Sequence, residues 1–344
     1  EAARSFSLTF HGPEAIAAAD RLLPSAQDAE ETELELHTLI SKATALGFMG
    51  RRIETYTLLR GAADEAEQRG ILEAAGRALN NLGAFIQTRN PQEGKRIIER
   101  LGNVIARSQN LSWQIRHTAD EVDDDISAGD YEQALRRLDE LEAEELTEFW
   151  RQAFALHRAR VELRTTGDQA AFARGWAAAT YFDDSADPQL RTGFDIYKAD
   201  LQLDIGNWDE VYRLGMGIDP DVNFAGMLYA TIAAGWLGDV GKVDQVLEAM
   251  AGSSNDFPRA VDYATAIKTA LEGDVATAAA SFVDILDDWV VRLLPVNLAE
   301  ARITFAKTVG PSNAAAVQAA HAALAWINET GSESRRAVWS PALP

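Results

Sequence analysis

Cysteine is absent from all 344 residues, so a disulfide framework, a thiol nucleophile and a thiolate zinc site are excluded. No uninterrupted apolar run approaches the roughly 18 residues that a membrane-spanning helix needs. Positive charge is scarce: 32 Lys and Arg face 53 Asp and Glu, a net charge of −21. Binding to nucleic acid draws most of its affinity from bases that neutralise phosphates. Pairs such as Arg51-Arg52 and Arg335-Arg336 do not build a basic stripe. Direct nucleic-acid contact and docking on anionic membranes are therefore disfavoured. A solvated acidic exterior and a cytoplasmic location are the expectations. The sequence opens on Glu1 without a signal-peptide core, which predicts a piece of a longer polypeptide whose missing part lies upstream.

Clustered chemistry is also lacking. His11, His37, His117, His157 and His321 stand apart, with no HxxxH or HExxH spacing among them. The stretch Gly235–Val243 has Gly-rich looks but fails as a phosphate loop. Trp236 stands where the opening Gly belongs, and Val243 replaces the hydroxyl residue that would hold magnesium. Asp123-Asp124-Asp125 and the acidic run 142–148 sit in helical pattern, unlike a calcium loop. Asp183-Asp184 with Asp187 is looser and stands as a weak metal candidate. No catalytic residue, metal ligand or cofactor is expected in this segment, and an all-α enzyme is only a remote alternative.

What the sequence does have is rhythm. Turn signals at Gly12-Pro13, Gly50-Arg51, Arg89-Asn90, Gly129-Asp130, Gly167-Asp168, Gly206-Asn207, Gly238-Asp239, Gly273-Asp274 and Gly310-Pro311 recur every 32 to 40 residues. A period in this range marks a solenoid, whose units bury their apolar faces against their neighbours. The stretch from Gly129 illustrates one unit. Gly129 closes a helix, Asp130 caps the next, and Tyr131, Ala134, Leu135, Leu138 and Leu141 fall on one helical face. First helices are predicted over 1–11, 32–48, 72–88, 112–128, 149–166, 190–205, 223–237, 257–272 and 297–309. Second helices are predicted over 13–23, 51–69, 91–109, 130–146, 168–182, 207–217, 239–251, 274–291 and 311–329. The fold class expected is all-α, with residues 1–330 as one array and 331–344 as a tail or cap. Trp339 has two open readings, a cap folded back on the terminal repeat or a remnant foreign to it. Seven of the eight tryptophans fall in or at helices, where bulk fills gaps between helix pairs.

The segments Ala78-Leu79-Asn80-Asn81-Leu82-Gly83 and Gly129-Asp130-Tyr131-Glu132-Gln133-Ala134 carry a resemblance to the tetratricopeptide repeat, TPR. Units here average about 37 residues, against about 34 in that family. The chain resembles the helical C-terminal regions of large bacterial signalling proteins that carry an ATPase, a cyclase or a helix-turn-helix regulator. This implies a right-handed superhelix of about nine antiparallel pairs, acting as a non-enzymatic sensor or scaffold. First helices of such arrays line a concave groove for a peptide, a protein or a small effector. Carried onto this sequence, the groove positions are Asn80, Gln87, Arg116, Asp123, His157, Arg164, Asp200, Asp204 and Trp236. Polar side chains in that stripe suit a solvated groove. Homo-oligomerisation without a separate ligand is the alternative function.

Overall fold

The computed structural model describes residues 11–87, 89–142, 144–185, 187–221, 223–253 and 259–342. Among these, all regular structure is helical: eighteen α-helices, one short 3-10 turn and no strand. Residues 1–10 of the helix expected over 1–11 lie outside the described residues. In chain order the helices are α1 (Gly12–Asp28), α2 (Thr32–Phe48), α3 (Arg52–Gln68), α4 (Leu72–Ile86), α5 (Pro91–Ser108) and α6 (Leu111–Ala128). Then come α7 (Tyr131–Glu142), α8 (Glu148–Thr166), α9 (Gln169–Thr180), α10 (Pro188–Asp204), α11 (Trp208–Gly217) and α12 (Ala225–Leu237). The last are α13 (Val240–Gly252), α14 (Ala260–Leu271), α15 (Val275–Trp289), α16 (Pro295–Val309), α17 (Ala314–Thr330) and α18 (Glu333–Trp339).

Packing groups the chain into two compact units. One holds the described part of Glu1–His117 with Ala186–Gln189, and the other holds Thr118–Ser185 with Leu190–Pro344. In both, helices pack on their neighbours in sequence, as α3 does on α4 and α16 on α17, and alternate helices also touch, as α2 does with α4 and α14 with α16. That pattern is consistent with an α-solenoid.

The turns explain the repeat physically. Gly50, Gly129, Gly167, Gly206, Gly238, Gly273 and Gly310 all have positive φ, from 69 to 99°. This is the left-handed backbone that ends a helix. Asp239 and Asp274 then cap the following helices, accepting from the Lys242 and Thr277 amides. A Cβ at Gly238 would meet nothing within 4 Å, so backbone strain alone decides its replacement. Gly238→Ala is expected to cost about 1 kcal/mol, because a left-handed alanine is disfavoured by about that much. The shift in urea midpoint checks it.

Amphipathic spacing gives each helix its buried side. On α7, Tyr131, Ala134, Leu138 and Leu141 are buried, and Leu135 is half-buried. Each buried leucine contributes roughly 1.5–3 kcal/mol of transfer free energy. Three segments depart from the sequence expectation. The helix expected over 130–146 ends at Glu142. Pro24 predicts a stop at residue 23, yet α1 continues to Asp28, and burial of Ala26 beyond the proline holds the last turn in place. The tail is not irregular either: Gly331, at φ 69°, ends α17, and α18 follows at once.

In the first unit, Leu36, Ile40, Leu59, Leu79, Leu82, Ile97 and Leu101 form the core. Polar contacts there join equivalent first helices. Arg77 of α4 donates to the His37 carbonyl oxygen (3.1 Å) and to Ser41 Oγ (2.8 Å) on α2, and Asn81 donates to Thr44 Oγ1 (2.8 Å). The second unit has a larger apolar core that includes Tyr263, Phe282, Trp289, Phe305 and Trp339. Its first helices also carry the candidate site.

Candidate functional site: a closed charge cluster holding the C-terminal helix

On α8, Arg160 and Arg164 lie one turn apart. On α10, Asp200 and Asp204 do the same, one repeat later. The two pairs meet in register. Arg160 Nε and Nη2 donate to Asp200 Oδ2 (3.1 and 2.9 Å), while Nη1 donates to Asp123 Oδ1 on α6 (2.6 Å). Arg164 Nε donates to Asp204 Oδ2 (3.0 Å), Nη2 to Asp200 Oδ2 (2.5 Å), and Nη1 to the Ile126 carbonyl oxygen (3.4 Å). Planar guanidinium forks suit such paired carboxylate contacts.

A third guanidinium comes from the tail. Arg335 of α18 donates through Nε to Asp204 Oδ1 (2.7 Å) and through Nη2 to Asp200 Oδ1 (3.0 Å). Its Nη1 donates to Glu300 on α16, whose other carboxylate oxygen accepts from Asn297 (3.1 Å). Arg335 and Trp339 are both fully buried. Trp339 lies beside Trp326 of α17, with ring centroids 6.3 Å apart. Ser332 Oγ pairs with Tyr131 Oη (2.5 Å), and α18 also packs along α8. The turn at Gly206 makes room for the tail, since a Cβ there would lie 3.3 Å from Val338. Trp339 thus folds back on the terminal repeat, the first of its two readings.

Electrostatics follow from closure. Burial pushes the Asp200 carboxyl up, but Arg164, Arg160 and Arg335 together hold it well below the usual carboxylate range. Burial works against the charge on Arg335, yet Asp204, Glu300 and Asp200 keep that guanidinium firmly protonated. Glu300 goes the other way: burial, helped by the Asp200 charge, raises its carboxyl above the ordinary value despite Arg335. His157 is pushed down to about 4 by burial, and the Arg160 charge adds to this. Its Nδ1 lies 3.1 Å from Arg160 Nη1, so Nδ1 accepts and the imidazole is neutral. Tyr197 and Tyr229 line the cluster. Arg160 lies 4.5 Å from the Tyr197 ring centroid, and Tyr229 Oη donates to Asp200 Oδ1 (3.4 Å).

Of the nine residues singled out in the sequence, Asp123, His157, Arg164, Asp200 and Asp204 come together here. They do not line a solvated groove. His157, Arg164, Asp200 and Asp204 are buried, and Asp123 keeps about a third of its side chain exposed at 32%. The expectation of solvation is corrected because charges of opposite sign on successive helices, and then the tail, displace the water. Trp236 is buried as well. It donates from Nε1 to Thr304 Oγ1 (3.1 Å) and stacks on Trp208 at 4.5 Å. Asn80 is half-buried beside Asn81, whereas Gln87 is exposed, as is Arg116, whose guanidinium lies 5.8 Å from the Trp113 ring centroid. These three belong to the other unit.

Arg160, Glu300 and Arg335 also belong to the site, though none is among the nine groove positions. Arg160 has a usable signal, because Arg160 with Asp200 and Arg164 with Asp204 are each 40 residues apart, about one repeat. Nothing local marks Glu300 or Arg335. The weak metal candidate resolves differently. Asp183 is engaged by the Lys198 ammonium, which also donates to Asp195 (3.0 Å), so a lysine supplies the cation there. Among the described residues no group of three or more potential ligands is arranged for a metal ion, and no helix is long and apolar enough to cross a membrane. A cleft of about 270 Å³ lies outside the cluster, between α16, α17 and the final turn, lined by Lys307, Pro311, Val317 and Pro341 among others. Compared with known proteins, the chain matches no family model, and no curated protein matches it.

Proposed function

We propose that this chain is a non-enzymatic TPR-like module that binds a protein segment, as the sensor or scaffold part of a larger bacterial signalling or transcription-regulatory protein. Its finer architecture, in this reading, is a right-handed superhelix of about nine helix pairs. The observation that carries the reading is the bound state of α18. First helices α10 and α16 receive the buried Arg335 of this short helix, and its buried Trp339 seats beside Trp326 of α17. A surface that receives one helix through anchor residues is suited to helix-in-groove recognition. The cluster is a poor basis for catalysis: its guanidiniums and carboxylates neutralise one another, and its histidine is held neutral between them.

Titrating the full chain with a panel of labelled helical peptides, arginine-bearing and neutral, is expected to give saturable binding for at least one of them. Silence across the panel up to millimolar peptide, with full activity of a parent protein that lacks residues 1–344, would sink the reading.

Self-association is the second reading, favoured by apolar residues left on second helices. Ile53 on α3 is 83% exposed, and Val290 and Val291, just past α15, are 51% and 66% exposed. Sedimentation that finds a strict monomer from micromolar to millimolar concentration rules it out.

A further inference from the structure

We propose that the Asp200, Asp204 and Glu300 carboxylates form a receptor for the guanidinium of a short arginine-bearing helix, and that residues 331–342 are its intramolecular occupant, displaced by a partner helix of the same chemistry. This rests on the reading of the chain as a protein-binding module and assigns the ligand class of that site.

The first ground is charge. Without the tail, the four carboxylates of Asp123, Asp200, Asp204 and Glu300 face only Arg160 and Arg164, since His157 is neutral. Arg335 brings the third guanidinium and contacts three of those carboxylates at once. The three buried carboxylates outnumber the two guanidiniums, which favours a further cation there, and the fork-like contacts select a guanidinium over an ammonium.

The second ground is that the seat is imperfect apart from that arginine. Among the described residues, two buried side-chain polar atoms have no hydrogen-bond partner, Trp326 Nε1 and Ser334 Oγ. Both belong to the tail's seat: Ser334 is on α18 and Trp326 faces Trp339. An unsatisfied buried donor is a standing penalty on the docked state. A competitor that keeps the arginine and the aromatic residue four positions later, but places a small apolar residue at the serine position, avoids one of these penalties.

The third ground is connection. The tail helix spans only Glu333–Trp339 and is joined to α17 through Gly331 at φ 69°, so its release requires no other helix to unwind. As a tethered ligand it competes at an effective concentration of about millimolar, so a partner in trans binds the intact chain weakly and an emptied chain tightly. The partner is thus a short helix with the spacing of Arg335 and Trp339.

The test uses the 344-residue chain and a fluorescein-labelled peptide with the sequence of residues 331–344. Arg335→Glu places a repelling charge against the three carboxylates and expels the tail. The folded Arg335→Glu chain is expected to bind the peptide at least about tenfold more tightly than the wild-type chain. A peptide with Ala in place of that arginine should lose the binding. If the folded variant binds no better than wild type, the proposal is overturned. Hydrogen exchange on the wild-type chain decides independently should the variant fail to fold. Amides 333–339 are expected to exchange faster than those of 148–166, and millimolar unlabelled peptide should speed 333–339 alone. Equal protection of the two segments, unmoved by peptide, would make the tail a permanent part of the core and overturn the proposal. In that event a different helical peptide can still bind the chain, so the loss of the tail assignment is distinguishable from the loss of the module reading.

Discussion

Arg164→Met is expected to lower the unfolding free energy by about 3–5 kcal/mol, the cost of leaving buried charge without its partner. Arg164 has no exposed surface, and its guanidinium bridges Asp200 and Asp204. Without it, Asp204 keeps only Arg335, and Asp200 must share Arg160 and Arg335. Methionine fills most of the volume, so the loss reports the orphaned carboxylates rather than a cavity. Arg151→Met provides the contrast. Its pair with Glu148 is exposed at both ends, 61% and 52%, and such pairs contribute about 0–1 kcal/mol. Urea unfolding of the two variants should separate them by at least about 2 kcal/mol. Equal midpoints would mean that water reaches the cluster and screens it, contrary to its burial.

Acid should remove the part of the stability that depends on a neutral, buried His157. Burial and Arg160 push this imidazole from 6.5 down to about 4 in the fold, and it regains its ordinary value when the chain unfolds. At this site the unfolded chain therefore binds more protons between pH 6.5 and about 4, so the contribution of His157 to stability falls as pH drops through that window. Asp124, raised to about 6 by burial and its neighbouring carboxylates, acts in the opposite sense. The full shift corresponds to about 3 kcal/mol. The groups facing the ring are Arg160 at 3.1 Å, Asp123 Oδ1 at 4.0 Å and the Tyr197 ring at 5.3 Å. Asp200 adds a second loss at lower pH, because its folded carboxyl lies below its unfolded value and must be protonated there. Glu300, raised by burial, acts in the opposite sense and partly offsets it. In urea unfolding at pH 7, 5.5 and 4.5, wild type should lose ground against His157→Gln by most of that 3 kcal/mol. Parallel curves for the two proteins would contradict the low value in the fold.

The repeat is legible because its signals are local. A left-handed glycine at seven of the nine turns and an apolar stripe at helical spacing act within a few residues, and both are read directly from neighbours such as Gly129, Tyr131, Ala134 and Leu138. The expectation for α1 is too short because Pro24 disfavours a helix locally, whereas the burial of Ala26 that outweighs it depends on the packing around α1. Half of the site is legible too, since Arg164, Asp200 and Asp204 are polar residues on an otherwise buried stripe. Their environment is not. A lone aspartate in such a stripe reads as solvated, while one facing an arginine 40 residues away is dry.

Helix content, turn positions and the sign of the surface charge are in the amino-acid sequence, because each depends on residues close together in the chain. Burial of the ionic cluster, and its filling by α18, belong to the tertiary structure alone. Arg335 meets Asp204 from 131 residues away and Asp200 from 135, outside the repeat period that links the other pairs. A contact at that separation leaves no periodic mark, and only the return of the tail onto α8 and α16 makes three arginines and four carboxylates into one closed site.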